Sequence, residues 1–237
     1  MTSPNSNSPR LPYDRHRGPH PGIVAVAYVL LFIAGLVSFG VLSNGAEFPR
    51  PFGALEKAQQ TFLQFTYAIR INAFFQFACA IPLGIFAAAV TSRLRFLGVK
   101  VTGVSIAFLG GIGASVLFML SGLCSWVLSQ PGIADDLNVM HAIQLLGFGC
   151  GGVGTIATFG LLMAGISVPC LFGGYTPKWL AWLGIILAVL AELSTLSLII
   201  PQAVWLLPIV RFPSCIWMIG TGFTLLKKLP EHSTTEQ

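Results

Sequence analysis

Three ionisable side chains, Arg70, Glu192 and Arg211, stand inside long apolar stretches of this chain. A charge at the centre of a bilayer costs about 2.5–3.5 kcal/mol on insertion scales, so such residues are usually paired or turned to a wet cavity. Glu192 and Arg211 are equally far in sequence from a turn centred between Pro201 and Gln202. Two antiparallel helices joined there would hold both at one depth, roughly 14 Å from the turn at about 1.5 Å per residue. That symmetry predicts a Glu192 to Arg211 ion pair. At about 4 Å and an effective dielectric near 20 the attraction is of the order of 4 kcal/mol, comparable with the insertion cost of one partner. Such a pair either fixes helix register or forms a polar site for a solute or proton.

Arg70 lies near the start of the second apolar stretch, where its side chain either snorkels to the headgroups or turns inward. Turned inward, Arg70 and Arg211 against Glu192 would leave surplus positive charge, favouring an anionic group in a cavity open to the outside. Arg70, Glu192 and Arg211 are thus the candidate ligand-binding residues. Asn72 and Gln76 form a polar stripe roughly opposite Arg70, and only one of these faces can look into the bundle. Asp135, Asp136, Asn138 and His141 open the fourth apolar stretch. Asp at a helix start ordinarily caps it and complements its dipole, so no metal site is assigned there.

Catalysis inside a membrane needs inventories this chain lacks. Three of its four histidines (His16, His20, His232) sit near the chain ends, which leaves no pair for haem. An aspartyl dyad needs two membrane aspartates, but the aspartates are Asp14, Asp135 and Asp136. HExxH and GxSxG are absent. No catalytic residue and no cofactor is assigned, and the expectation is a non-enzymatic protein. Cys79, Cys124, Cys150, Cys170 and Cys215 fall in apolar segments without CxxC spacing and read as small packing residues. The net charge of +5 comes from basic residues scattered between apolar runs, which argues against nucleic acid.

The elements that must position these residues are membrane helices. Hydrophobic residues make up 54% of the 237-residue chain and charged ones 9%, with a mean hydropathy of +0.79, whereas soluble domains carry roughly 25% charged residues. The expected fold is an all-α polytopic transmembrane bundle of six helices, near 22–43, 66–90, 99–129, 139–167, 178–200 and 203–226. A proline-rich tail over 1–21 should be disordered and a short tail should follow over 227–237. The first stretch is too long for a signal-peptide core and reads as an uncleaved span. Pro131, Pro169 and Pro201 mark span ends, while Pro82, Pro208 and Pro213 lie inside spans. One side of the membrane receives Arg10, Arg15, Arg17, Arg93, Arg95, Lys100, Lys178, Lys227 and Lys228, the other Arg50 and Lys57. By the positive-inside rule both termini are expected in the cytoplasm.

In the long first connection, Leu55, Ala58, Phe62 and Phe65 recur at helical spacing opposite Glu56, Lys57, Gln59, Gln60 and Gln64. The segment is either a short interfacial helix or an outward extension of the second span. Small residues let helices approach closely in lipid. Gly103, Ala107, Gly111 and Ser115 line the third span, and Gly147, Gly151, Gly154 and Thr158 the fourth. These two faces are expected to meet, unless one serves self-association. Gly184, Ala188 and Glu192 share the small-residue face of the fifth span, which should turn Glu192 into the bundle.

The run Pro177, Lys178, Trp179, Leu180, Ala181, Trp182, Leu183, Gly184 and the later Trp217, Met218, Ile219, Gly220 resemble a bacterial family of small polytopic membrane proteins classed as domain of unknown function 4386. The resemblance implies an inner-membrane location and a similar helix count, and carries no catalytic residues over. The expected roles are a membrane scaffold or regulatory partner, working with another membrane protein or a second copy in the lipid bilayer. The alternative is a carrier or receptor for a small solute, with an outward-facing polar site around Glu192 and Arg211.

Overall fold

The first crossing begins where the expected tail should still be running. His20 accepts from the Gly22 amide through Nδ1 at 3.1 Å, capping helix α1 (Pro21–Leu42). Pro21 suits the first helical position because its missing N–H would be an orphan there anyway. The computed structural model describes residues 18–225, so most of the expected tails, with Arg10, Arg15, Arg17, Lys227 and Lys228, lie outside the described residues.

Among the described residues all regular structure is helical, and six helices are long and apolar enough to cross a membrane. The chain is an all-helical, multi-pass membrane protein. After α1 comes the short α2 (Leu55–Gln64), then α3 (Thr66–Phe96) and α4 (Thr102–Leu128). The fourth crossing is composite: α5 (Leu137–Phe148), a π-helical segment (Gly149–Gly154) and α6 (Thr155–Gly173). α6 runs on through Pro169, expected to end this span, and stops where Gly174 takes φ +66°, the left-handed conformation glycine adopts without strain. The fifth crossing is α7 (Lys178–Leu193) with a 3₁₀ segment over Ser194–Leu198; the sixth is a second 3₁₀ segment, Pro201–Trp205, leading into α8 (Leu206–Thr224).

Each crossing packs against the next in sequence, and α8 returns to α1, closing a ring. Closure is tightest at the end carrying both chain ends: a Cβ on Gly222 would lie 2.6 Å from the Gly22 nitrogen. In the same half, Trp217 fills the middle of the ring. Its indole donates to Ser167 Oγ at 3.0 Å and its ring meets Phe86 and Phe159 edge-on. Gly184 makes this possible, since a Cβ there would stand 2.3 Å from Trp217 Nε1. All five cysteines are free thiols.

The third and fourth crossings do pack together, but not through the expected pairing. Gly103 and Ala107 meet Gly165, whereas Gly111 lies against Ala87 of α3 and Ser115 donates to the Ala80 carbonyl at 2.6 Å. Gly147, Gly151 and Gly154 face Cys124, Ser121 and Leu117. The two small-residue stretches both occupy the amino-terminal halves of their crossings. Antiparallel packing therefore sets them at opposite ends, and each finds other partners.

α2 is a helix of its own, separated from α3 by a break at Phe65. It buries Ala58 and Phe62 against Phe39, Leu128 and Met140, while Gln59 Nε2 donates to the Ala134 and Asp135 carbonyls at 2.9 and 3.2 Å.

Candidate ligand cavity

The half of the ring away from the chain ends is hollow. A cavity of about 400 Å³ is bordered by α1, α3, α4, the glycine-rich fourth crossing, the 3₁₀ segment before α8 and α8 itself. Missing side chains make the room: Gly35, Gly147, Gly151 and Gly152 all line it. The π-helical segment concentrates this effect, and such segments turn up often at functional sites.

Arg211 reaches this space from α8. Its Nη2 donates to the Gly151 carbonyl inside the π-helical segment, and its guanidinium carbon lies 5.3 Å from the Phe118 ring centre and 6.0 Å from that of Phe32. Two cation–π contacts at about 0.5–2 kcal/mol each and a charged hydrogen bond of about 1.5–3 kcal/mol together roughly offset the cost of placing the charge in lipid. They do not neutralise it. Among the described residues no carboxylate lines the cavity, and one hydrogen bond leaves most of the five guanidinium N–H donors unused.

The polar lining besides Arg211 includes the stripe opposite Arg70, which settles which face of α3 looks inward. Gln76 Nε2 donates to Ser121 Oγ at 2.8 Å, and Ser121 Oγ donates to the Gly147 carbonyl at 2.8 Å. Asn72 borders the cavity, and its side chain makes no hydrogen bond among the described residues. Gln144 donates from Nε2 to the carbonyls of Pro49 and Arg50 at 3.4 and 3.2 Å. It thereby holds the 44–54 connection over the cavity, where Phe48 meets Phe39 and Phe52 meets Phe148 through ring edges.

The structure separates the three charged candidates. Among the described residues the ion pair within 4 Å is Arg50 with Glu47, at 3.4 Å on the surface; Glu192 and Arg211 do not pair. Glu192 does not point into the bundle either. It is exposed on α7 beside Gly160 of α6, while Ala188 and Ala191 take the buried positions. The symmetry argument assumed α-helix up to the turn. Each 3₁₀ segment advances about 120° per residue rather than about 100°, so five residues add roughly 100° of rotation on each side. Arg70 is exposed and turned to the end of α4, donating to the Ser129 carbonyl at 2.8 Å and to Ser129 Oγ at 3.4 Å. A cation there complements the helix dipole, and neither Arg70 nor Glu192 borders the cavity.

Asp136 caps α5, its Oδ1 accepting from the Asn138 and Val139 amides at 2.9 and 3.1 Å. A larger cleft of about 690 Å³ lies at the other end, around Lys100, Gly103, Gly165 and Phe172. Phe172 is 86% exposed and Lys100 is exposed, so it is an open groove without an enclosed charge. Sequence reasoning found Arg211 and the Asn72/Gln76 stripe but missed Gln144 and the aromatic connection above the cavity. The available signal was the density of Gly147, Gly149, Gly151, Gly152 and Gly154, which exceeds what a packing ridge spaced by four requires.

No family model matches this chain, and neither a curated protein nor a solved structure matches it.

Proposed function

We propose that this multi-pass membrane protein is a non-enzymatic receptor or carrier that holds a small anionic solute at Arg211. One observation carries the reading: a cavity of about 400 Å³, within the range of small-molecule sites, is lined by a cation and, among the described residues, by no carboxylate. Gln76 and Asn72 supply amide groups around it, as expected of a mostly apolar pocket with a few convergent polar groups. In this reading both termini are cytoplasmic in a bacterial inner membrane, so that the cavity faces outward. The even number of crossings and the Lys/Arg bias support that orientation.

The direct test is purification in lipid followed by mass spectrometry of co-purifying small molecules. An anionic species should accompany the native protein and be lost from Arg211→Gln. Retention of the same species by Arg211→Gln would remove the assignment. A reporter that fluoresces only in the cytoplasm, fused after Gln237, checks the orientation.

A second reading, a scaffold or regulatory partner, is favoured by the exposed Glu192. A carboxylate on the outer face of a crossing is costly in lipid unless another chain offers it a donor. A photo-crosslinker at Val189, the exposed residue one turn away, would capture that neighbour. Its failure to link any protein in native membranes would count against this reading.

A further inference from the structure

The proposed solute site has a roof and a side wall of different character, and the difference points to the route a ligand takes. This inference rests on the anion-holding reading and extends it to a ligand class. At the far end of the ring the cavity is covered by Phe48, Pro49 and Pro51, held by Gln144 and by ring contacts to Phe39 and Phe148. Between α1 and α8 the wall is made of side chains that are themselves about half exposed: Leu36 at 46% and Phe212 at 54%. Pro208, next to them, is exposed as well. These two helices are cinched at the opposite end by Gly22 against Gly222. What these side chains expose away from the cavity, on the side of a membrane-spanning helix, is contact with lipid.

We infer that the cavity takes a single-chain amphiphile with an anionic head, and that it enters from the bilayer between α1 and α8. The head lies at Arg211 among the amides of Gln76 and Asn72. The acyl chain runs along Phe32, Leu36 and Phe212, whose rings and methyls match hydrocarbon and offer a water-soluble ion nothing. A fatty acid carboxylate and a lysolipid phosphate share this chemistry, and both are available in a membrane.

The test uses the full chain in nanodiscs of zwitterionic phosphatidylcholine, with palmitate, lysophosphatidate, acetate and inorganic phosphate as probes, read by native mass spectrometry and competition. Palmitate or lysophosphatidate should bind one to one, and which binds tighter identifies the head. Arg211→Gln should weaken that binding at least tenfold. Leu36→Trp, a bulky change at an exposed position that should leave folding intact, should block the passage and reduce binding similarly; this variant carries the test if Arg211→Gln does not accumulate. Arg211-dependent binding of acetate or phosphate, with no binding of either amphiphile, overturns this inference and leaves the anion site standing. Amphiphile binding indifferent to both substitutions is mere partitioning and overturns this inference. Absence of Arg211-dependent binding by any probe overturns both.

Discussion

The guanidinium of Arg211 and the carbonyl of Gly151 meet across sixty residues of chain, joining the last crossing to the π-helical segment of the fourth. That contact puts a cation at a glycine-lined hollow in the ring, where the surrounding groups offset its desolvation but leave its charge uncompensated.

Gly151 is the side of this contact least tolerant of change. A Cβ there would fall 2.1 Å from Ser121 Oγ and 2.5 Å from Ser121 Cβ. Gly151→Ala should therefore destabilise the protein by about 1–3 kcal/mol, the usual cost of overpacking. Ser121→Gly removes both clashing atoms, although it also removes the links to Gln76 and Gly147. The double variant should melt at a higher temperature than Gly151→Ala alone in lipid-reconstituted protein. A double variant that melts as low as the sum of the singles would mean that the strain lies elsewhere.

A charge swap separates the expected ion pair from the observed arrangement. If Glu192 and Arg211 paired, Glu192→Arg with Arg211→Glu would restore the accumulation lost in either single variant. With Glu192 exposed on α7 and Arg211 held by Gly151, Phe32 and Phe118, the double variant should do no better than the worse single one. Recovery above both singles, measured as folded protein in membranes, would reinstate the pair.

What was legible in advance follows the range of the forces involved. Six crossings could be read because hydrocarbon imposes a length and a composition on every one of them, whatever its neighbours. Arg211 stood out because a charge in such a stretch needs a reason. Its partner did not, because depth depends only on counting residues, whereas direction depends on helix type. Neither Ser194–Leu198 nor Pro201–Trp205 announces its 3₁₀ geometry in its residues. Gln144 was invisible for a different reason. Its acceptors are backbone carbonyls about 95 residues away, which carry no side-chain signature.

Arg70 offers a contrast with Arg211, for it is a cation placed to finish a helix and not to meet a ligand. Losing its bonds to Ser129 and its interaction with the end of α4 should cost about 0.5–2 kcal/mol in Arg70→Leu, the scale of a dipole-complementing charge with one good hydrogen bond. Arg70→Lys should recover part of that loss. Binding of an anionic probe should be unchanged in both variants, because Arg70 does not border the cavity. A tenfold loss of binding in Arg70→Lys with unaltered melting would place Arg70 in the site after all.

The roof over the cavity should be the part of the molecule that opens most easily on removal of a single side chain. Its connection is tied to the bundle by Gln144 through two long hydrogen bonds, and locally by Gly53 N to Arg50 O at 3.3 Å and Ala46 N to Ser43 O at 3.1 Å. Gln144→Leu keeps the apolar bulk and deletes the tie, about 1 kcal/mol, or roughly fivefold in an opening equilibrium. Hydrogen exchange at the amides of residues 46–54 should accelerate by that factor, while the amides around Trp217 at the other end of the ring stay protected. Equal acceleration in both regions would mean that Gln144 supports the bundle as a whole, whereas no change in 46–54 would mean that the aromatic contacts of Phe48 and Phe52 hold the roof without it.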